Sequence, residues 1–146
     1  MAMRFGSISA KDIALAAATA KTVLQLASVN IAIRLTELTV GFDGILNTAE
    51  PVTIELLRQT SAGTMTNLAP VKADDSIADA LNTTGQHTAT VEPTAGDVLR
   101  TLILHPQTSQ TWTYGIDLVL GRDKRLGLRI TAPAVVNCNA TLAFEE

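Results

Sequence analysis

Alternation of apolar and polar residues is the dominant pattern of the chain from residue 22 onward. It is clearest over residues 135–145, where every second side chain from Val136 to Phe144 is apolar and most residues between them are polar. Because successive side chains of a strand point to opposite faces, this pattern predicts a strand with one buried and one solvated face. Similar alternation predicts further strands over residues 111–120 and 126–131.

Shorter apolar runs between turn sequences predict the remaining strands. The alternation over residues 30–42 changes phase between Leu35 and Leu38, which predicts a β-bulge near Thr36 and Glu37. The other predicted strands cover residues 21–28, 52–59, 68–73, 86–91 and 98–105. Turn sequences rich in glycine, proline and aspartate, such as residues 92–97, separate several of them.

These short strands, about eight in number and without helices of normal length between them, predict an all-β fold. We expect an antiparallel jelly-roll sandwich or barrel, in which two sheets are built from two Greek keys. An immunoglobulin-like sandwich is the alternative, but Cys138 is the only cysteine and the Cys…Trp…Cys spacing of true immunoglobulin domains is absent. The length of 146 residues fits one domain, which we place over residues 21–146.

Residues 1–20 follow a different pattern and are predicted to form an N-terminal arm outside the sandwich. Ser9 is a suitable cap for a short helix that begins near Lys11, and residues 14–18 are strong helix formers. The apolar side chains of this arm have no evident place in the sandwich, so we expect the arm to contact another subunit or a partner. Its candidate interface residues are Met3, Arg4, Phe5, Ile8, Ile13 and Leu15.

The composition indicates a globular chain with a weakly charged surface. Hydrophobic residues make up 47% of the chain and charged residues only 17%. The net charge is −3 and the basic residues are scattered, so we expect no nucleic-acid partner. No apolar run reaches the roughly 18–20 residues that a membrane span needs, and Lys11 and Asp12 interrupt the one stretch that imitates a signal peptide. We therefore expect no membrane partner and no cleaved signal.

The chain lacks the residue groups that catalysis usually needs. His87 and His105 are the only histidines and neither lies in a metal-ligand pattern, so we expect no metal and no other cofactor. Cys138 lies on the apolar face of a predicted strand, where a cysteine usually acts as a small hydrophobic residue rather than a nucleophile. No serine lies in a nucleophile-elbow motif. We expect the protein not to be an enzyme.

The densest group of charges is residues 122–125, in the predicted turn between two strands. A solvated hairpin tip is the simplest interpretation, and contact with an acidic patch on a partner is the alternative. Because of this alternative, Arg122, Lys124 and Arg125 join the candidate interface residues.

Several segments of the sequence, at predicted turns and at the ends of predicted strands, are similar to segments of known proteins. They are residues 18–26, 49–52, 55–60 with Gly63, 92–99, 105–107, 125–133 and 142–146. Together they resemble a family of small structural proteins encoded by tailed bacteriophages, over most of the chain from Ala18 onward. The resemblance implies a jelly-roll decoration, or cement, protein on the outer surface of an icosahedral head. It further implies binding to the major capsid protein, often as a homotrimer, and synthesis in the host cytoplasm.

Two other functions remain open. A phage tail or fibre component has the same fold requirements as a head protein, and labelling would locate it at the tail. A glycan-binding module would need an exposed aromatic platform, for which Trp112 is the best residue. Trp112 shares a predicted strand face with Tyr114, Ile116 and Leu118, which favours burial in the core.

Overall fold

Two six-stranded sheets form a sandwich in the computed structural model, which describes residues 3–146. Every strand pairing in these residues is antiparallel, so the predicted all-β sandwich is confirmed. The strands are β1 (Phe5–Leu15), β2 (Thr19–Ala27), β3 (Ile33–Phe42), β4 (Val52–Gln59), β5 (Thr64–Asn67), β6 (Val71–Lys72), β7 (Thr84–Val91), β8 (Ala95–Leu104), β9 (Ser109–Thr113), β10 (Val119–Leu120), β11 (Arg125–Ala132) and β12 (Val136–Glu145).

The strand order is nested. Sheet A has the order β10-β3-β12-β1-β6, with β9 next to β10 on the same edge of β3, and sheet B has the order β5-β7-β2-β11-β4-β8. The first strand pairs with the last, β2 pairs with β11, β3 pairs with β9 and β10, and β4 pairs with β8. Strands β5, β6 and β7 lie between β4 and β8 in the chain and extend the two sheets beyond β2 and β1.

The core lies between the sheets and follows the predicted alternation most closely in β11 and β12. The predicted bulge in β3 is confirmed, because Glu37 faces Ala143 and Leu35 faces Phe144, which leaves Thr36 as the extra residue. This bulge lets both Leu35 and Leu38 point inward. The largest fully buried side chains between the sheets are Phe144, Ile8, Leu15, Leu24, Leu26, Leu35, Leu38, Ile54, Leu56, Leu128 and Ile130.

The prediction of one strand over residues 111–120 is wrong. Residues 114–118 form a loop that separates β9 from β10. Ile116, near the tip of this loop, is 79% exposed although it continues the apolar alternation. The loop is held by hydrogen bonds at its two ends, from the Tyr114 N–H to the Thr36 carbonyl and from the Leu35 N–H to the Leu118 carbonyl.

The predicted arm is also wrong for residues 5–15, because they form strand β1 and pair with β12. Ile8, Ile13 and Leu15 are buried in the core, and the short helix predicted from Lys11 does not form. Lys11 and Asp12 interrupt the alternation of this strand, and a bulge lies between Ala10 and Ile13, with Asp12 at a φ of 55°. Because of this bulge, Ile13 points into the core again. Residues 1 and 2 of the predicted arm lie outside the described residues.

The two ends of the described chain are joined at the start of β1. Arg4 and Glu146 exchange two backbone hydrogen bonds, and their side chains form an ion pair with an N–O distance of 3.0 Å. The Glu146 carboxylate is fully buried and also accepts hydrogen bonds from the N–H groups of Asn82 and Thr83 and from the Thr83 hydroxyl. Arg4 is therefore part of a structural clasp rather than an available contact residue.

A buried polar cluster fastens the connection between β7 and β8 to the outer face of sheet B. Glu92 accepts hydrogen bonds from the N–H and hydroxyl of Thr22, at 2.8 and 2.6 Å. The Gln59 amide donates to the Thr22 hydroxyl at 3.0 Å and accepts from Gln25 Nε2 at 2.6 Å. The side chain of Gln59 lies directly over Gly127 of β11, where there is no room for a Cβ.

We predict that Gly127→Ala destabilises the fold, because the added Cβ would clash with the Gln59 amide. Moving that amide would break its two buried hydrogen bonds with Gln25 and Thr22, at a cost of about 1–3 kcal/mol. Urea unfolding gives the free energy of unfolding of each variant. Gly115→Ala is the control, because the nearest atom to a Cβ at Gly115 is 3.9 Å away. Equal stability of the two variants would contradict this role of Gly127.

Candidate protein-binding surface

Three connections meet at one end of the sandwich, here called the loop end. They are residues 43–51 between β3 and β4, residues 105–108 between β8 and β9, and residues 133–135 between β11 and β12. They surround a cleft with a volume of about 520 Å³, here called the apolar cleft. Its lining includes Gly44, Ile45, Leu46, Pro106, Pro133 and Val135.

Large aliphatic side chains that line the apolar cleft are unusually exposed. Ile45 is 86% exposed, Val135 is 76% exposed and Leu46 is 65% exposed. Burying one such side chain is worth roughly 1.5–3 kcal/mol, so a group of three left in water is a substantial unused source of binding free energy. Contiguous exposed apolar patches of this kind mark sites of interaction with other molecules.

Asp43 holds the 43–51 loop against the start of β12. Its carboxylate accepts hydrogen bonds from the backbone N–H and the side-chain amide of Asn137, both at 2.8 Å. The Gly44 N–H donates to the Pro106 carbonyl at 2.8 Å. These bonds join the 43–51 loop to residues 105–108 and to the start of β12 before a partner binds, which reduces the conformational entropy that binding would cost.

The same hydrogen bonds perturb the ionisation of Asp43. The backbone bond from Asn137, followed by its side-chain bond, lowers the pKa of Asp43 below its ordinary value of 3.8. Because the folded-state pKa is the lower one, the carboxylate stabilises the folded loop above the ordinary pKa. That contribution is lost as the pH falls through the lowered pKa.

We predict that an NMR titration of the Asp43 carboxyl carbon gives a midpoint below 3.8. In Asn137→Ala the midpoint should rise part of the way, because this substitution removes the side-chain donor and keeps the backbone N–H. A midpoint that does not respond to Asn137→Ala would contradict the contribution of the side-chain hydrogen bond.

The candidate interface residues from the sequence lie away from the apolar cleft. Ile8, Ile13 and Leu15 are in the core and cannot contact a partner, which corrects the expectation that the arm presents them. Met3 and Phe5 are exposed. They lie at the end of sheet A opposite the loop end, since Phe5 pairs with Glu145 at the last position of β12.

The charged turn lies at that same opposite end, between β10 and β11. Arg122 and Lys124 are exposed, whereas Arg125 is half-buried and donates to the Gln25 side chain at 3.3 Å. Asp123 accepts a hydrogen bond from the Asn30 N–H at 2.8 Å, and the turn is thereby held against the β2–β3 connection. The turn is therefore more ordered than a freely solvated hairpin tip, and two of its three basic residues are available for contact.

Sequence reasoning missed Ile45, Leu46 and Val135. One signal was present: Ile45 and Leu46 are large apolar residues in a segment between two predicted strands, with no place in either. The alternation of apolar and polar residues identifies core side chains within strands. It gives no information about side chains in the connections between strands. Their exposure and their common cleft are visible only in the structure, where the bonds between Asp43 and Asn137 bring two distant segments together.

Residues with potential chemistry are dispersed or buried. Burial raises the pKa of the Cys138 thiol to about 12, and its side chain is fully enclosed in the core. Within residues 3–146, no group of three or more His, Cys, Asp or Glu side chains is placed to hold a metal ion. Trp112 faces the buried Leu38 across the strands and packs against the core, so it does not form an aromatic platform. No helix within residues 3–146 is long and apolar enough to cross a membrane.

We predict that the Cys138 thiol does not react with a water-soluble disulfide reagent while the protein is folded, because the thiolate is scarce and enclosed. In a denaturant series, the reaction rate should follow the fraction of unfolded protein. Rapid labelling of the folded protein would contradict the buried position of Cys138.

No protein-family model and no curated protein matches the chain.

Proposed function

We propose that the chain is a structural virion protein that binds the outside of a phage icosahedral capsid and stabilises it. The observation that carries the proposal is the group of exposed aliphatic side chains around the apolar cleft, at the end of a sandwich with an extensive core. Such a surface suits a protein that holds a partner, and the partner class comes from the resemblance of the sequence segments to decoration proteins. The major capsid protein is the proposed partner.

The nested strand order supports a jelly roll as the specific fold. A jelly roll can be described as a long antiparallel hairpin that is folded over into two sheets. The first strand then pairs with the last and the second with the second-to-last, and the result is two Greek keys. Strands β1, β2, β3 and β4 pair in this manner with β12, β11, the β9–β10 pair and β8. In this proposal β5, β6 and β7 are an insertion between the two halves of the roll.

In this proposal the capsid protein is held by burial of the apolar side chains around the cleft rather than by attraction between charges. A specific protein interface buries on the order of 1,000 Å² or more, so the partner must cover the rims formed by residues 43–51 and 133–135 as well as the cleft. Copies joined to one another would combine modest contacts with the capsid into strong attachment. The homotrimer expected from the resemblance is one arrangement that would provide this multiplicity.

We predict that the purified protein binds heads of its phage from which decoration has been removed, saturably and at a fixed number of copies per head. Bound heads should withstand a higher temperature before they burst. Ile45→Ser should weaken binding about ten- to a hundredfold, since burying an isoleucine is worth roughly 1.5–3 kcal/mol. Ile116→Ser is the matched control, because Ile116 is 79% exposed and lies outside the loop end. Co-sedimentation measures the affinity and the occupancy.

The salt dependence of binding distinguishes the two candidate surfaces. Contact through the apolar cleft should be nearly insensitive to salt, whereas contact through Arg122 and Lys124 should weaken as salt screens their charges. Salt-sensitive binding that survives Ile45→Ser would move the contact to the charged turn. Folded protein that binds no heads would contradict the capsid role and favour a tail component, the alternative that needs no exposed aromatic platform.

A further inference from the structure

Asp43 is followed in the chain by Gly44, and both residues border the apolar cleft. An aspartate that precedes a glycine is especially prone to isomerisation, because glycine has no side chain to hinder attack by its own backbone nitrogen. No other aspartate of the sequence precedes a glycine. Asp43 is exposed, so water reaches the bond between the two residues.

Isomerisation at such a bond has two steps and needs no reagent other than water. The Gly44 nitrogen attacks Cγ of the protonated Asp43 carboxyl group, a C–N bond closes a succinimide ring, and the carboxyl hydroxyl leaves as water with the amide proton. Water then adds to one of the two ring carbonyls. Opening at the carbonyl next to Cα leaves the chain linked through Cγ, as isoaspartate, and opening at Cγ restores aspartate.

Both reacting groups are held in hydrogen bonds in the folded chain. The Asp43 carboxylate accepts from the backbone N–H and the side-chain amide of Asn137, and the Gly44 N–H donates to the Pro106 carbonyl, all at 2.8 Å. Gly44 also lies close against Pro106, since a Cβ at Gly44 would be 2.5 Å from that carbonyl oxygen. The ring therefore closes only after these bonds break, because the carboxylate must gain a proton and the amide nitrogen must lose one.

The hydrogen bonds from Asn137 also keep the carboxyl group in its unreactive form. They lower the pKa of Asp43, the backbone bond more than the side-chain bond, and an ionised carboxylate has no hydroxyl to lose as water. We propose that the Asp43–Gly44 bond is a modification site at which the loop isomerises spontaneously, and that Asn137 suppresses this reaction in the folded chain.

Isomerisation at this bond would alter the apolar cleft. The new linkage adds one carbon to the main chain directly before Ile45 and Leu46, and it moves the carboxylate from the side chain to Cα. The bonds between residue 43 and Asn137 would then no longer fit, and the exposed aliphatic side chains of the cleft would be displaced. The proposal concerns the isolated protein and does not depend on the capsid role.

Incubation of the full chain followed by peptide mapping tests the proposal, because peptides with isoaspartate and aspartate have equal mass and separate by chromatography. We expect isoaspartate at position 43 to form about three- to tenfold faster in Asn137→Ala, which corresponds to the loss of one hydrogen bond. Asn139→Ala is the matched control, because Asn139 lies in the same strand but binds the Asp12 N–H, and this variant should react at the original rate. Circular dichroism establishes that all three proteins are folded.

The same measurement in urea provides a reference that needs no variant. Once unfolding has broken the hydrogen bonds of Asp43 and Gly44, the original chain should form isoaspartate faster than it does when folded, and both variants should then react at the same rate as the original chain. An unfolded chain that forms no isoaspartate at position 43 would overturn the modification site. Equal rates in the folded and unfolded original chain, or equal rates in the two folded variants, would overturn the role of Asn137.

Discussion

The pairing of the first strand with the last is the contact on which the rest of the structure depends. Strand β12 lies between β1 and β3 in sheet A, so the last strand of the fold is hydrogen-bonded to two strands from the first third of the chain. Its inward side chains, including Cys138 and Phe144, are buried against both sheets. The loop end is also held through this strand, because Asn137 of β12 binds Asp43. The shape of the apolar cleft therefore depends on β12 being in place.

This dependence has a kinetic cost. Nearly all contacts of the main strands join residues that are distant in the sequence, and the β1–β12 contact is the most distant. Loop closure over such distances must precede the favourable burial of the core, so we expect folding to be slow for the size of the chain. The ion pair and hydrogen bonds of Glu146 add specific polar contacts where the two ends meet, which helps to fix the register of β1 against β12.

Alternation in the sequence predicted the fold class because most strands have one face in the core. It also located the bulge at Thr36, since the phase change between Leu35 and Leu38 is visible in the sequence. Strand β1 was missed because Lys11 and Asp12 break its alternation, and the bulge that repairs the phase depends on pairing with residues far along the chain.

The candidate surface was less predictable than the fold for the same reason. An exposed apolar residue and a buried one look alike in a sequence, and the long-range contacts of a connection decide between them. Ile8 and Ile13 were expected on a contact surface and lie in the core, whereas Ile45 was assigned no role and is exposed. Of the residues expected at an interface, Met3, Phe5, Arg122 and Lys124 are exposed, all at the end opposite the apolar cleft.

The clasp between Arg4 and Glu146 has a practical consequence. It places both ends of the described chain side by side, at the end of the sandwich farthest from the apolar cleft. If the cleft faces a capsid, a label attached to the exposed Met3 or Phe5 beside the clasp would face the surrounding medium and would not compete with attachment. Cargo and anchor would then occupy opposite poles of the fold.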